Sequence, residues 1–66
     1  MSLANLAPAD IAAWRARHGL TLTVAGRILG LDRQTIFSWE SGRSRFPFYL
    51  AFALAYLDEH TEELEA

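Results

Sequence analysis

The sequence predicts an all-α fold, a compact bundle of four to five short helices, on three observations. Apolar residues recur at three- and four-residue intervals, helix-starting and helix-stopping residues alternate along the chain, and no run has the two-residue alternation of a strand. Pro8 suits a first helical turn, where its missing N–H is no loss, and Ile11, Trp14 and His18 follow at helical spacing until Gly19 stops the run. Thr21 caps a second helix whose apolar face is Val24, Ala25, Ile28 and Leu29, and Gly30 ends it. Asp32 caps a third, with Ile36 and Trp39 as its apolar positions and Gly42 as its stop. Arg43 to Phe46 form a basic loop, and Pro47 opens a fourth helix that runs through Leu57 toward His60.

A chain of 66 residues holds one small domain with a thin core. The expected division is a flexible N-terminus over 1–7, a folded unit over 8–60 and an acidic tail over 61–66. An extra source of stability is expected. There is no cysteine for a disulfide, and His18 and His60 without a thiolate do not make a structural zinc site, so self-association is what remains. A content of 52% apolar residues points the same way. No signal-peptide pattern and no span of roughly 18 apolar residues is present, so a cytoplasmic protein with no membrane partner is expected.

The formal charge of -2 conceals a segregation. All six basic residues are arginines before position 46, opposed there by Asp10, Asp32 and Glu40, a net +3. Asp58, Glu59, Glu62, Glu63 and Glu65 give the remainder -5, the pattern of a solvated acidic end. A nucleic-acid partner is therefore compatible with the charge. An enzyme is not expected: no nucleophile is paired with either histidine, no glycine-rich phosphate loop occurs, and no catalytic residue, metal, cofactor or small-molecule ligand is assigned.

Helix two, its three-residue turn and helix three form the informative unit. So short a turn joins helices at a steep angle and brings their backbones close, which explains a glycine at 26, inside a helix, four before Gly30. With Ile36 and Trp39 facing inward, Arg33, Gln34, Phe37 and Ser38 face outward, as on a helix that enters a major groove. Arginine pairs bidentately with guanine and glutamine with adenine, and a serine permits close approach. Arg33 has an alternative role as a solvated first-turn residue. Phe37 either touches a thymine methyl or tucks into a dimer or intramolecular contact.

The run Arg15 to Gly42, RARHGLTLTVAGRILGLDRQTIFSWESG, resembles the helix-turn-helix domain of the lambda-repressor and Cro type, the XRE family, and Pro47 to Leu57 resembles its following helix. The markers are Arg15 four before Gly19, the turn glycine Gly30 with Gly26 four before it, Ile36, and Trp39-Glu40-Ser41-Gly42 followed by arginines. The resemblance implies that Arg33, Gln34 and Ser38 meet base edges, with Phe37 beside them on the same face, and that Thr23, Thr35, Ser41, Arg43 and Arg45 approach phosphates. It also implies that Arg15 and Glu40 form a structural ion pair behind the recognition helix. Two positions depart from the family pattern: Leu22 stands where a glutamine often makes a contact, and Phe37 where a polar residue is commoner. Arg17 and Arg27 either extend the phosphate footprint or serve solubility.

Helix four carries one stripe of Leu50, Ala53, Leu54 and Leu57 and an adjacent aromatic stripe of Phe48, Tyr49, Phe52 and Tyr56, more than one face of a surface helix buries. The second stripe is the expected twofold dimer interface, the alternative being that all of it packs within one chain. The function expected is a homodimeric, sequence-specific DNA-binding repressor or autoregulator on an inverted-repeat operator, acting by occlusion since the chain leaves no residues for a ligand domain. Small stand-alone members of the family are phage regulators, antitoxin-like autoregulators and anti-CRISPR-associated repressors, and FPFYLAFALAYL is similar to the last group. The competing expectation is a protein-interaction module that uses Phe37 and the aromatic stripe.

Overall fold

The computed structural model describes residues 5–64. They form α1 (Pro8–Arg17), α2 (Leu22–Leu29), α3 (Arg33–Glu40) and α4 (Leu50–Glu59), followed by one 3-10 turn (Thr61–Leu64). No strand occurs among the described residues.

Local chemistry starts each of the first three helices. Thr21 Oγ1 accepts the Val24 N–H at 3.1 Å and Asp32 Oδ1 accepts the Thr35 N–H at 2.8 Å, so α2 and α3 each have one otherwise orphaned donor satisfied. The backbone hydrogen bond from Thr35 holds the Asp32 carboxyl below its usual range. Ala7, before α1, has no side-chain acceptor. There the Asp10 carboxylate reaches back to the Ala7 N–H at 2.8 Å instead.

Both α1 and α2 pack on α3. Ile11 and Trp14 of α1, Ala25 of α2, Ile36 and Trp39 of α3 and Leu50, Leu54 and Leu57 of α4 form one buried cluster, with Leu6 and Leu64 packed against it from the two ends. The indole N–H of Trp14 is buried without a hydrogen-bond partner, a cost that burial of the ring outweighs.

The elbow between α2 and α3 is the tightest approach. Leu31 N–H bonds to the Gly26 carbonyl at 2.7 Å while Gly30, at φ +75°, takes the left-handed conformation that ends α2. A Cβ at position 26 would lie 2.5 Å from the Leu31 carbonyl oxygen and 3.3 Å from two further backbone carbons. Only glycine fits.

Three expectations need correction. Pro47 does not open α4: the Leu50 N–H bonds to the Pro47 carbonyl at 3.0 Å, closing a turn, and the helix begins at Leu50. That turn lets Phe46 lie edge-on to Trp39, with ring centroids 6.5 Å apart, before α4 sets off. On α4 the buried arc is Leu50, Ala51, Leu54 and Leu57, while Ala53 is half-buried, because an arc centred on Leu54 takes in position 51 and leaves 53 at its flank. Nor is Asp58 a solvated tail acid. Arg17 Nη2 donates to both its oxygens at 2.8 and 2.9 Å, and His18 Nε2 lies 2.7 Å from Oδ1, fastening the end of α4 to the end of α1. Arg17 is thus a partner of α4. The expected flexible residues 1–4 and the tail residues 65 and 66, Glu65 among them, lie outside the described residues.

Two outcomes follow from these contacts. Gly26→Ala is expected to lower stability by about 1–3 kcal/mol, because the ~0.5–1 kcal/mol gained in helix propensity does not offset a backbone clash. Thermal unfolding checks it, with Tm falling by roughly 4–8 °C per kcal/mol. For Asp58, burial opposes ionisation, but the hydrogen bonds from His18 and Arg17 outweigh it and hold the carboxyl below its usual value. A carboxyl depressed in this way contributes stability that is present above about pH 4 and is lost as pH falls through its folded value. Asp58→Asn should therefore lower stability by up to about 1 kcal/mol at neutral pH, with the difference from the parent closing in acid, as read by urea unfolding between about pH 2.5 and 7.

Candidate nucleic-acid interface

With Ile36 and Trp39 buried, the opposite arc of α3 is fixed. Arg33, Gln34 and Phe37 are exposed on it and Ser38 is half-buried at its edge. These are positions i, i+1, i+4 and i+5, one contiguous helical face. Phe37 is 43% exposed, so it does not tuck into the chain's own core.

The loop after α3 folds back onto the same end of that helix. The Ser38 carbonyl accepts the Arg43 N–H at 2.9 Å, the Ser44 N–H at 3.4 Å and the Ser41 hydroxyl at 3.3 Å. One carbonyl therefore anchors the basic loop. It brings the Arg43 guanidinium over the Phe37 ring, 5.7 Å from its centroid, within cation–π range. Arg45 is exposed two residues on.

The remaining positions are placed as follows. Thr23 is exposed in the first turn of α2 and Thr35 is half-buried in the first turn of α3. Ser41 is exposed, but its hydroxyl proton is engaged by Ser38 and its N–H by the Phe37 carbonyl at 2.9 Å, so it acts as a helix end. Arg27 is exposed on α2, and Leu22 is half-buried against the core.

Arg15 and Glu40 support this face from its flank. Arg15 Nε and Nη2 donate to the two Glu40 oxygens at 2.8 and 2.9 Å, a fork-to-fork pair, while Nη1 donates to the Leu20 carbonyl at 3.1 Å. Three segments meet there: the last turn of α1, the link to α2 and the last residue of α3. The hydrogen bond to Glu40 holds the Arg15 pKa above its ordinary value against the opposing effect of burial. The Glu40 side chain is only 9% exposed, so its charge is spent inside the domain and does not repel an approaching anion.

Sequence reasoning missed the Arg43–Phe37 contact and the Arg17–His18–Asp58 cluster. The first depends on a loop path; the second joins residues 40 and 41 positions apart, where no local spacing signals a contact. No cluster of three or more His, Asp or Glu side chains able to hold a metal occurs among the described residues, and no helix there is long and apolar enough to cross a membrane.

Comparison with protein families gives a match to the family described as Helix-turn-helix over residues 11–55, from the first turns of α1 to the middle of α4. Comparison with curated proteins and with solved structures gives no match.

Removing Arg15 leaves a nearly buried carboxylate without its partner. Arg15→Ala is expected to cost about 3 kcal/mol, the lower end of the 3–5 kcal/mol range for a broken buried pair because Arg15 itself keeps some solvent contact. Chemical denaturation should show this loss, with a smaller one for the double variant Arg15→Ala, Glu40→Leu.

Proposed function

This chain belongs to the helix-turn-helix family of DNA-binding regulators, of the lambda-repressor and Cro type, and we propose that it is a homodimeric, sequence-specific repressor or autoregulator that lays α3 in the major groove of an inverted-repeat operator. The observation that carries this reading is the outward arc of α3, where Arg33, Gln34, Phe37 and Ser38 are offered together beside the exposed arginines Arg43 and Arg45. Arg33 suits the O6 and N7 acceptors of guanine and Gln34 the N6 and N7 of adenine, while the loop arginines suit phosphates. Thr23 and Thr35 hydroxyls extend the phosphate set, and Ser41 joins it only by exchanging its bond to Ser38.

The dimer reading rests on α4. In the turn before it Phe48 is 82% exposed and Tyr49 more than half exposed, and on the helix Phe52 and Tyr56 are more than half exposed at i and i+4, a concentration of aromatic surface. His60 extends it by stacking on Tyr56 at 4.0 Å with the rings 11° from parallel. Aromatic residues are enriched where proteins associate, and a twofold arrangement places the same patch on both partners. Two copies of α3 about 34 Å apart then meet successive major grooves on one side of the duplex. In this reading occupancy of the operator excludes polymerase, in the cytoplasm.

Selection from a random DNA pool tests the proposal. An enriched inverted repeat is expected, with Arg33→Ala relaxing the preference at one position per half-site and Arg43→Ala weakening binding to all sequences alike. The latter should also flatten the salt dependence by about 0.9 in log–log slope for each phosphate contact removed. Sedimentation at micromolar concentration is expected to show a dimer that Phe52→Asp dissociates. A pool that enriches nothing, or a parent protein that stays monomeric at high micromolar concentration, overturns the corresponding half of the reading and favours a protein partner for the aromatic surface.

A further inference from the structure

Phe37 is the large apolar side chain that α3 leaves in solvent, apart from the aromatic face of α4. It sits between side chains that read hydrogen-bond patterns, and it can do none of that itself. A phenyl ring desolvates whatever polar edge it is pressed against without replacing the lost hydrogen bonds. Among the groups that base pairs present in the major groove, one is apolar: the C5-methyl of thymine. The Arg43 guanidinium lies 5.7 Å from the ring centroid, Arg33 is exposed one turn earlier on α3, and Arg45 is exposed in the loop that follows, positive charge that complements a polyphosphate backbone.

We infer that Phe37 is a specificity-determining residue that reads the C5-methyl group of one thymine in each half-site, attracting that methyl and rejecting base pairs that put a polar group in its place. The inference rests on the DNA-binding reading above and deepens it. Phe37 follows Arg33 by four residues and Gln34 by three, so it reaches about 4.5–6 Å further along α3. At about 3.4 Å per base step, the thymine lies within two steps of the pairs those residues read. Arg43 covers part of the ring while its charge serves the neighbouring phosphate, so the two side chains divide methyl recognition and backbone attraction between them.

The experiment takes a site enriched from the random pool and replaces each thymine in turn by uracil, which removes the methyl and leaves every hydrogen-bonding group unchanged. One thymine per half-site is expected at which uracil weakens binding about fourfold, the size of one methyl group withdrawn from water. With Phe37→Ala the penalty should vanish, with Phe37→Leu it should persist in part, and with Arg43→Ala it should remain while binding to both DNAs weakens. Circular dichroism of the half-exposed Phe37 variants checks that they are folded. An enriched site at which no thymine shows a Phe37-dependent uracil penalty overturns this inference and leaves the DNA-binding reading standing. A pool that enriches no site overturns both.

Discussion

The crossing of α2 and α3 at Gly26 is the constraint on which the rest depends. With the Leu31 carbonyl 2.5 Å from where a Cβ would lie, the turn that leads into α3 folds back onto α2 as closely as the absence of a side chain permits. That short turn holds α3 against α2, with Ile36 and Trp39 inside. Once Ile36 and Trp39 are committed to the core, Arg33, Gln34 and Phe37 have no alternative to facing out. The outward face of α3 is thus a by-product of packing.

A core this small needs ties besides apolar contact, and two groups of charges supply them. Arg15 binds Glu40 and the Leu20 carbonyl at once, so one guanidinium holds α1, α3 and the intervening link in register. At the other end Arg17 and His18 share Asp58, joining α1 to α4. The two pairs differ in energetic character. Arg15 and Glu40 are largely withdrawn from water, where losing one partner costs more than the intact pair contributes, whereas Arg17 and Asp58 remain wet enough to be individually weak. What both provide is geometric: they fix how the helices are phased.

Net charge and apolar content both acquire a location. Of the eight acids, Glu40 is consumed inside and Asp58 is shared by Arg17 and His18, so the arginines left exposed toward α3 and its loop are less opposed than the total of -2 implies. The apolar excess separates in the same manner. Leu50, Ala51, Leu54 and Leu57 close the core, and the aromatic residues of α4 stay outside it, as does Phe37 on α3. Two of the exposed apolar features among the described residues differ in kind: an aromatic surface on α4 and the turn before it, and a single ring beside the Arg43 guanidinium on the outward face of α3.

Local chemistry was enough to determine the first three helices. Thr21 and Asp32 as caps, Gly30 as a left-handed stop, and the spacing of Ile11 with Trp14 and of Ile36 with Trp39 act over three or four residues, and such short-range rules can be read along the chain. The need for a small residue at 26 was also legible from the shortness of the turn, and the pairing of Arg15 with Glu40 from the resemblance to a known family. Tertiary structure alone decided the start of α4, where Phe46 is drawn onto Trp39 and the chain turns at Pro47 before the helix can begin. It alone chose Ala51 over Ala53 for the core, gave Asp58 to Arg17 and His18, and laid Arg43 over Phe37. In each case the deciding partner is either remote in sequence or reached through a loop whose path no periodicity encodes, so the contact exists only once the helices have taken their places.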